Sequence, residues 1–392
     1  MGDAVIVSSA RTAIGTARKG TLLDVSAFDL AQHAVGAALE RSGIDSGDVD
    51  DLQMGESLQG GGDIARYAAV ALGLTNVPGV ALNRHCASGM AAVQGAAGSI
   101  RAGMDRVVIA GGSESISSSP AAMKRVLGTD DMVAWMSPSH PETPEAPAFD
   151  MSITVGWNSA QKANVTREEM DHWAWQSHVR AIAAIDAGKF EDEIVPIEVK
   201  RRDGETVVFA VDEHPRRGSS IEKLASLNPL HPEIDGFSIT AGNSSGLNDA
   251  AAALVIVDSE YAQAHGLKPL AIVKSWASSG VPPQDTGLGP TYAIPKALGR
   301  AGMSVPDVDL FEINEAFAAM CVASTRILGV AHEITNVNGS GCSLGHPVAA
   351  TGARMIVTLI NELARRGGGI GVSSMCAGGG MGSATVLEVM PG

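Results

Sequence analysis

An internal repeat constrains this 392-residue chain more than any other feature of its sequence. Residues 34–57 and 293–316 share a helix-like stretch, a small-residue turn and a strand-like stretch. Gly43 in the first copy corresponds to Gly302 in the second, an offset of 259 residues, and each glycine is followed five residues later by Asp-Val-Asp. Two matches at one offset predict a duplicated chain whose halves pack about a pseudo-twofold axis.

Each half alternates strand-like and helix-like stretches, a pattern typical of layered α/β domains. The predicted elements are 4–9, 27–42, 88–102 and 106–111 in the first half, and 270–275, 292–301, 315–328, 348–366 and 369–375 in the second. We expect one half to comprise residues 1–117 plus 241–260, and the other to comprise 261–392. The proline-rich stretch between them predicts an inserted loop domain over 118–240, with a helix that opens at Thr166.

The charge of the chain limits its partners. A formal net charge of −15 argues against a nucleic-acid partner, because nucleic acid selects a basic surface. Two basic clusters, at 200–202 and 216–217, are either solvated faces or a site for an anionic small ligand.

Signals for export, membranes and metals are missing from the sequence. The chain opens on a strand-like stretch without the features of a secretory signal, and it has no run of 18 apolar residues. We therefore expect a cytoplasmic protein without a membrane span. The four cysteines, Cys86, Cys321, Cys342 and Cys376, lack Cys-x-x-Cys spacing, so we expect neither a metal site nor a disulfide framework.

Cys86 stands directly before a small-residue, helix-like run. A helix N-terminus has positive potential, which predicts a thiol pKa lowered toward neutrality and a nucleophilic role. The alternative is a small buried side chain. The repeat helps to decide between a nucleophile and a buried side chain. With the offset of 259 residues, the position equivalent to Cys86 in the second half is Gly345, the neighbour of His346. We call the turn at which a strand meets a helix or a glycine-rich loop a corner. Matching corners of related halves face one another near the axis, so we expect the Cys86 and His346 side chains to meet.

Three further residues occupy corners of the same kind. His346 lies in a glycine-rich turn, Asn314 follows a strand-like stretch, and Cys376 precedes three consecutive glycines. Taken singly, these positions also fit a core or surface histidine, a helix N-cap and a tight hairpin turn. Their shared location at corners favours a site with a nucleophile, a base and an oxyanion hole made of backbone amides.

At these motifs the chain resembles the thiolase family of acyl-CoA acyltransferases. The stretches NRHCASG, NEAFA, GHPVAATGAR and CAGGGMG match the four signature blocks of that family in order, and DEHPRRGSS and TAGNSSGLNDAAAA match intervening blocks. The resemblance covers essentially the whole chain and implies the duplicated thiolase-type fold. It also implies Claisen condensation of acetyl-CoA with an acyl-CoA, and the reverse thiolysis of a 3-ketoacyl-CoA, by a ping-pong mechanism in fatty acid and lipid metabolism.

The resemblance assigns roles residue by residue. It implies that Cys86 is acylated, that His346 takes its proton, and that Cys376 is the acid/base at the α-carbon. One oxyanion hole would consist of the backbone amides of Cys86 and Gly378, and the other of His346 with a water held by Asn314. The implied coenzyme A contacts are Arg216, Ala241, Ser245 and Ala316, and the implied acyl-pocket residues are Met151, Thr286 and Phe317.

The resemblance also bears on cofactors and assembly. Coenzyme A is implied as substrate and product, without a metal or a prosthetic group. Members of the family form homodimers that often pair into homotetramers, so we expect one of these two states.

The sequence departs from the pattern of the family in two stretches near the implied acyl pocket. Residues 150–160 read DMSITVGWNSA, in which Trp157 is one of several differences. Residues 287–293 read GLGPTYA, with Tyr292 in place of a proline, and Thr286 stands where a methionine is common. These stretches shape the acyl pocket, so the preferred acyl group stays open.

Three other functions compete with a thiolase. A decarboxylating ketoacyl synthase shares the duplicated fold but has a histidine where this chain has Cys376. An NAD-dependent oxidoreductase needs Gly-x-Gly-x-x-Gly after the first strand, and the sequence lacks it there. A non-catalytic binder of coenzyme A would be marked by loss of Cys86, His346 or Cys376, and none is lost. The sequence therefore predicts a thiolase.

Overall fold

A ten-stranded sheet organises the chain, which the computed structural model describes over residues 2–392. The strands β1 to β14 are, in order, Ala4–Arg11, Gly15–Thr16, Asp51–Gly55, Val80–Leu82, Val107–Ser115, Ala122–Arg125, Met132–Trp135, Ile197–Lys200, Thr206–Phe209, Asn248–Asp258, Ala271–Gly280, Leu310–Ile313, Gly369–Ala377 and Met381–Val389. The helices α1 to α10 are Ala27–Ser42, Ile64–Ala71, Ser88–Arg101, Asn158–Ala163, Arg167–Asp186, Ile221–Ala225, Ser259–Ala264, Gly289–Arg300, Ala318–Leu328 and Val348–Arg365. Within residues 2–392, none of the helices combines the length and apolar character that crossing a bilayer requires.

The order of the strands mirrors the repeat. β1 and β11 pair antiparallel at the centre of the sheet. Outward from this pair the first half continues as β10, β5, β3 and β4, and the second half as β14, β13 and β12. Short 3₁₀ turns at 46–48 and 305–307 lie at equivalent places in the two copies. Gly43 and Gly302, which follow the preceding helices, have φ angles of 67° and 70°. The predicted duplicated α/β fold is confirmed.

The insert between the halves contains more regular structure than a loop domain. It contains the β6–β7 and β8–β9 hairpins, the helices α4 to α6 and a π-helix at Ser152–Trp157. The predicted helix that opens at Thr166 is α5, and Thr166 with Glu169 forms its capping box. After the insert, β10 pairs with both β1 and β5, so the chain returns to the first half of the sheet. The residue boundaries of the three domains stay predictions.

The core forms layers on both faces of the sheet. Successive residues of a strand point to opposite faces. In β10, Ala253 and Val255 face the cluster beneath α1 and α2, whereas Leu254 and Ile256 face a cluster that includes α3 and α10. Strands β1, β11, β13 and β14 also contribute to this second cluster. Helices α3 and α10 therefore form a middle layer that both halves share.

Glycine permits the close contact between α3 and α10. A methyl group on Gly89 would lie 2.5 Å from the carbonyl oxygen of Ala349, and one on Gly352 would lie 2.6 Å from the backbone nitrogen of Met90. Interiors are packed too densely to absorb an added carbon at such distances. The two helices meet backbone to backbone because both positions are glycine.

Two predicted helices begin three residues away from their expected starts, and one of them is α8, which begins at Gly289 rather than at residue 292. The expected helix at 315–328 starts only at Ala318, and Phe317 before it has extended geometry with φ of −143°. The preceding residues instead pair with the segment before β10, where the amide of Ser245 donates to the carbonyl of Ala316 at 2.9 Å. This pairing with a distant segment competes with helix formation.

The helix contact predicts opposite effects for two glycine substitutions. Gly89→Ala should lower the free energy of unfolding by about 1–3 kcal/mol, because the added methyl overpacks the contact with α10. The control is Gly299→Ala in α8, where a methyl group would meet no atom within 4 Å. That variant should gain about 0.5–1 kcal/mol from helix propensity. Urea unfolding measures both, and a Gly89→Ala protein as stable as Gly299→Ala would contradict the packing argument.

Candidate active site

Cys86 lies in a hydrogen-bonded turn directly before α3. The Asn83 side chain accepts the amide of His85 at 2.8 Å. The Ser88 hydroxyl accepts the amide of Arg84 at 2.9 Å and donates to the carbonyl of His85 at 2.6 Å. These bonds hold His85 at φ of 46°, a left-handed conformation that is uncommon for a non-glycine residue and concentrates at functional sites. The turn fixes the half-buried Cys86 thiol at the end of the helix.

The Cys86 thiol is more basic than the sequence predicts. Burial raises its pKa to about 11, and hydrogen bonds from the backbone amides of Gly378 and Cys86 itself only partly offset this effect. The nearby Glu114 carboxylate raises the pKa further. The expected lowered pKa is therefore wrong, because desolvation outweighs the amides at the helix end. The neutral thiol therefore predominates at pH 7, so nucleophilic attack requires a base.

His346 presents an unprotonated imidazole nitrogen that can accept the proton of Cys86. Burial lowers the pKa of its imidazole to about 3, and the Arg354 charge lowers it further, so the ring is neutral. Its Nδ1 lies 2.7 Å from the Thr351 hydroxyl and 3.4 Å from Asn314 Nδ2. Its Nε2 is buried and has no hydrogen-bond partner among the described residues. When Nδ1 bears the hydrogen and donates it to Thr351, Nε2 is free to accept a proton.

Backbone contacts bring the Cys86 and His346 segments together. Gly89, three residues after Cys86, touches Ala349, three residues after His346. Ala349 also lies against Gly112 of β5. The two corners related by the repeat therefore face one another across the contact between α3 and α10.

Cys376 and Asn314 complete the cluster. Cys376 lies near the end of β13, only 2% exposed, with its sulfur 3.4 Å from that of Met320. Burial raises the pKa of its thiol well above the usual range, and the neighbouring Cys86 adds to this shift. Asn314 is fully buried, and its Oδ1 has no partner among the described residues. Gly378 follows the strand of Cys376 in the turn to β14, so the hairpin turn that the sequence offered as an alternative is present.

Known proteins share this fold and its motifs. The family described as "Thiolase, N-terminal domain" matches residues 4–260, and "Thiolase, C-terminal domain" matches residues 267–389. The chain belongs to the thiolase family. It is therefore an acyltransferase.

Individual relatives match this thiolase over their full length. The acetyl-CoA acetyltransferase of Pseudomonas aeruginosa is 43% identical over 394 residues, covering 99% of each chain. The 3-ketoacyl-CoA thiolase of Bacillus subtilis is 40% identical over 402 residues, covering 99% of this chain and 100% of the relative. The crystal structure of the Bacillus anthracis acetyl-CoA acetyltransferase superimposes with a TM-score of 0.90 at 40% identity, covering 100% of this chain and 99% of that one. Human mitochondrial 3-ketoacyl-CoA thiolase also gives 0.90, at 36% identity and 99% coverage of both chains.

Two of the four residues expected to contact coenzyme A in this thiolase, Ser245 and Ala316, are hydrogen-bonded to each other. Ala241 and Arg216 are exposed, and neither forms a hydrogen bond or ion pair with these two among residues 2–392. The basic clusters are largely neutralised, since Arg202 pairs with Asp24 and Arg217 pairs with Asp186. Arg216 forms no ion pair within residues 2–392.

The expected acyl-pocket residues surround the π-helix at Ser152–Trp157. Met151 precedes that helix, and a methyl group on Gly156 would lie 2.9 Å from the Phe317 ring. Thr286 is fully buried and donates to the Pro283 carbonyl at 2.6 Å in a 3₁₀ turn that packs against the π-helix. The atypical stretch 150–160 thus adopts a rare helix form that is frequent at functional sites.

Three supporting residues escaped the sequence reasoning. Thr351 orients the His346 ring, Asn248 accepts the His346 amide at 3.0 Å, and buried Glu315 accepts bonds from Trp173 and Ser177 at 2.9 and 2.6 Å. Thr351 and Glu315 lie in the same sequence motifs as His346 and Asn314. This closeness in the sequence is the signal that could have identified them. Asn248 also belongs to a recognised motif, but it reaches His346 from a strand that is distant in the chain.

Among residues 2–392, no group of three or more histidine, cysteine, aspartate and glutamate side chains is arranged to hold a metal ion. The polar groups that converge here are thiols, an imidazole and amides.

The exposure of the thiols predicts which cysteine reacts with iodoacetamide. Cys86 should take the first label, because Cys321, Cys342 and Cys376 are at most 2% exposed. Only the thiolate reacts, so a pKa of about 11 predicts a rate that rises about tenfold per pH unit from pH 7 to 10. Peptide mapping and the rate at each pH measure this. First labelling at another cysteine, or a rate that levels off near pH 8, would contradict the assignment.

Proposed function

We propose that this thiolase transfers acyl groups between Cys86 and coenzyme A, with His346 as the base and Cys376 as the acid/base at the α-carbon. The observation that supports this most strongly is the Cys86 sulfur itself. The backbone amide of Gly378 lowers the pKa of this thiol, and a second thiol, Cys376, lies within electrostatic range of it. Acetyl-CoA, coenzyme A and 3-ketoacyl-CoAs are the proposed substrates and products, as the names of the relatives suggest.

In the thiolysis direction, the Cys86 sulfur attacks the 3-keto carbon while its proton passes to His346 Nε2. The bond between C2 and C3 then breaks, and its electron pair forms the enolate of acetyl-CoA. The Cys376 thiol protonates C2, and acetyl-CoA leaves an acylated Cys86. The thiol of coenzyme A next attacks this acyl group and gives its proton to the Cys376 thiolate. Cys86 departs and recovers its proton from His346, so both thiols and the imidazole regain their starting states.

Two sets of donors are proposed for the negative oxygens that form in these steps. The backbone amides of Cys86 and Gly378 constitute one oxyanion hole, a role supported by the lowering effect of both amides on the pKa of the Cys86 thiol. The second consists of His346 and a water held by Asn314, whose side chain lies beside the imidazole. Loss of a single preorganised donor of this kind costs about 3 kcal/mol of transition-state stabilisation.

The contacts of this thiolase with coenzyme A and with the acyl group are also proposals. Arg216, Ala241, Ser245 and Ala316 would contact coenzyme A, and Met151, Thr286 and Phe317 would line the acyl pocket. Arg216 is available to bind phosphate, because it is exposed and forms no ion pair with a carboxylate within residues 2–392. No prosthetic group is required by the proposed chemistry.

We also propose a homodimer or homotetramer in the cytoplasm that acts in fatty acid metabolism. Support for self-association comes from the β6–β7 hairpin, because residues 120–138 are all exposed. Its exposed apolar side chains are Met123, Val126, Leu127, Met132, Val133, Trp135 and Met136. A concentrated apolar surface of this kind marks an interaction site.

Separate substitutions of the two thiols should stop the reaction at different steps. Brief exposure to acetoacetyl-CoA should add an acetyl group to Cys86, detected by intact mass and peptide mapping, and coenzyme A should remove it. Cys86→Ala should take no acetyl group. Cys376→Ala, which retains the nucleophile, should accept acetyl from acetyl-CoA but exchange the α-hydrogens of acetyl-CoA with solvent at least a hundredfold more slowly. Acyl transfer by Cys86→Ala, or rapid exchange by Cys376→Ala, would contradict the roles.

Adjacent arginines provide a matched test of coenzyme A binding. Arg216→Ala should raise the KM for coenzyme A about fivefold, equivalent to about 1 kcal/mol for one exposed charge on phosphate. Arg217→Ala should leave it unchanged, because Arg217 is already bound to Asp186. The effect of Arg216→Ala should shrink at high salt. Equal KM changes in the two variants would refute a specific role for Arg216.

A further inference from the structure

Glu114, at the end of β5, is a fully buried carboxylate without an ion-pair partner among residues 2–392. Its Oε1 accepts the amide of Leu58 at 3.0 Å and Gln59 Nε2 at 2.6 Å. Its Oε2 accepts the amide of Ala349 at 3.1 Å. All three contacts are N–H donors, which lower the pKa of the carboxyl and partly offset the rise that burial causes. A buried charge needs such compensation.

The bond to Ala349 crosses from the first half of the fold to the second. Ala349 lies in the first turn of α10, where backbone amides lack partners within the helix. Pro347, at the N-cap position, supplies no side-chain hydrogen bond. Glu114 provides the missing acceptor, and its negative charge suits the positive end of the helix. The helix is thus capped by a residue from the other half.

Contacts on the other sides of Ala349 also limit movement of the first turn of α10. Its carbonyl is enclosed by Gly89 and Gly112, neither of which has room for a methyl group. Two residues further along the same turn, Thr351 holds His346 Nδ1 at 2.7 Å. A shift of this turn would therefore move the imidazole relative to Cys86.

We propose that Glu114 is a positioning residue, whose carboxylate clamps the first turn of α10 and thereby keeps His346 aligned with Cys86. The inference rests on the proposed function, in which His346 takes the proton of Cys86. It adds a residue that touches neither substrate nor the reacting atoms.

The charge of Glu114 has a separate effect that helps to test the proposal. The carboxylate raises the pKa of the Cys86 thiol, and Glu56, itself 7% exposed, is the other carboxylate near Glu114. The clamp and the charge can therefore be removed independently. Glu114→Asp keeps the charge but is one methylene too short to reach both sides. Glu114→Gln keeps the length but offers one acceptor oxygen to donors on both sides.

The test measures acetylation of Cys86 from acetyl-CoA in single-turnover experiments on the full chain. Both variants should acetylate Cys86 ten- to a hundredfold more slowly, the cost typical of a catalytic group displaced by about 1 Å, with less than a twofold change in the acetyl-CoA concentration at half-maximal rate. Iodoacetamide at pH 8 should label Cys86 faster in Glu114→Gln than in the wild type, because a neighbouring negative charge is gone. Slower acetylation together with faster alkylation is not expected from a merely structural lesion.

Asp50→Asn is the matched control. Asp50 accepts the amides of Arg106 and Val107 at 2.7 and 3.0 Å, at the opposite end of β5 from Glu114. This variant should acetylate at the wild-type rate. Wild-type acetylation by Glu114→Asp, or an equal loss in Asp50→Asn at equal thermal stability, would overturn the clamp. Absence of acetyl-Cys86 in the wild type would instead refute the proposed function.

Discussion

The backbone contact between α3 and α10 is the constraint on which the rest of the structure depends. It exists because glycine occupies the positions where the helices touch, and it brings the N-terminal ends of two helices from opposite halves to one place. The mirrored sheet supplies rigid walls on either side of this contact. Each loop that precedes a helix then delivers one reactive side chain, so the precision of the site derives from packing far more than from the loops themselves.

Burial shifts the pKa values of the site residues, upward for the thiols and downward for the imidazole. It raises the pKa values of Cys86 and Cys376 and lowers that of His346, so every titratable group in the cluster rests in its neutral form. Charge then develops only as bonds form and break. Amides that already point at the Cys86 sulfur need no rearrangement when negative charge appears there, which is the condition under which such donors are most effective.

The sequence predicted the large-scale architecture because duplication leaves a periodic record. The offset of 259 residues predicted two related halves, which the mirrored strand order confirms. Predictions made from neighbouring residues were wrong where contacts with distant segments determine the local structure or the pKa. The pairing of Ser245 with Ala316 delays the start of α9, and desolvation of Cys86 reverses the expected pKa shift. Asn248 and Glu114 gain their partners only through the fold, so the sequence did not show that they contact His346 and Ala349.

Covalent linkage of the two halves has a consequence for how the site can change. Two identical half-length chains arranged about a true twofold axis would present the same side chain at both matching corners, and each substitution would appear twice. In the single chain the corner at Cys86 and the corner at His346 mutate independently. One half can therefore specialise in attack and the other in proton transfer, an asymmetry that a symmetric pair of half-chains cannot reach.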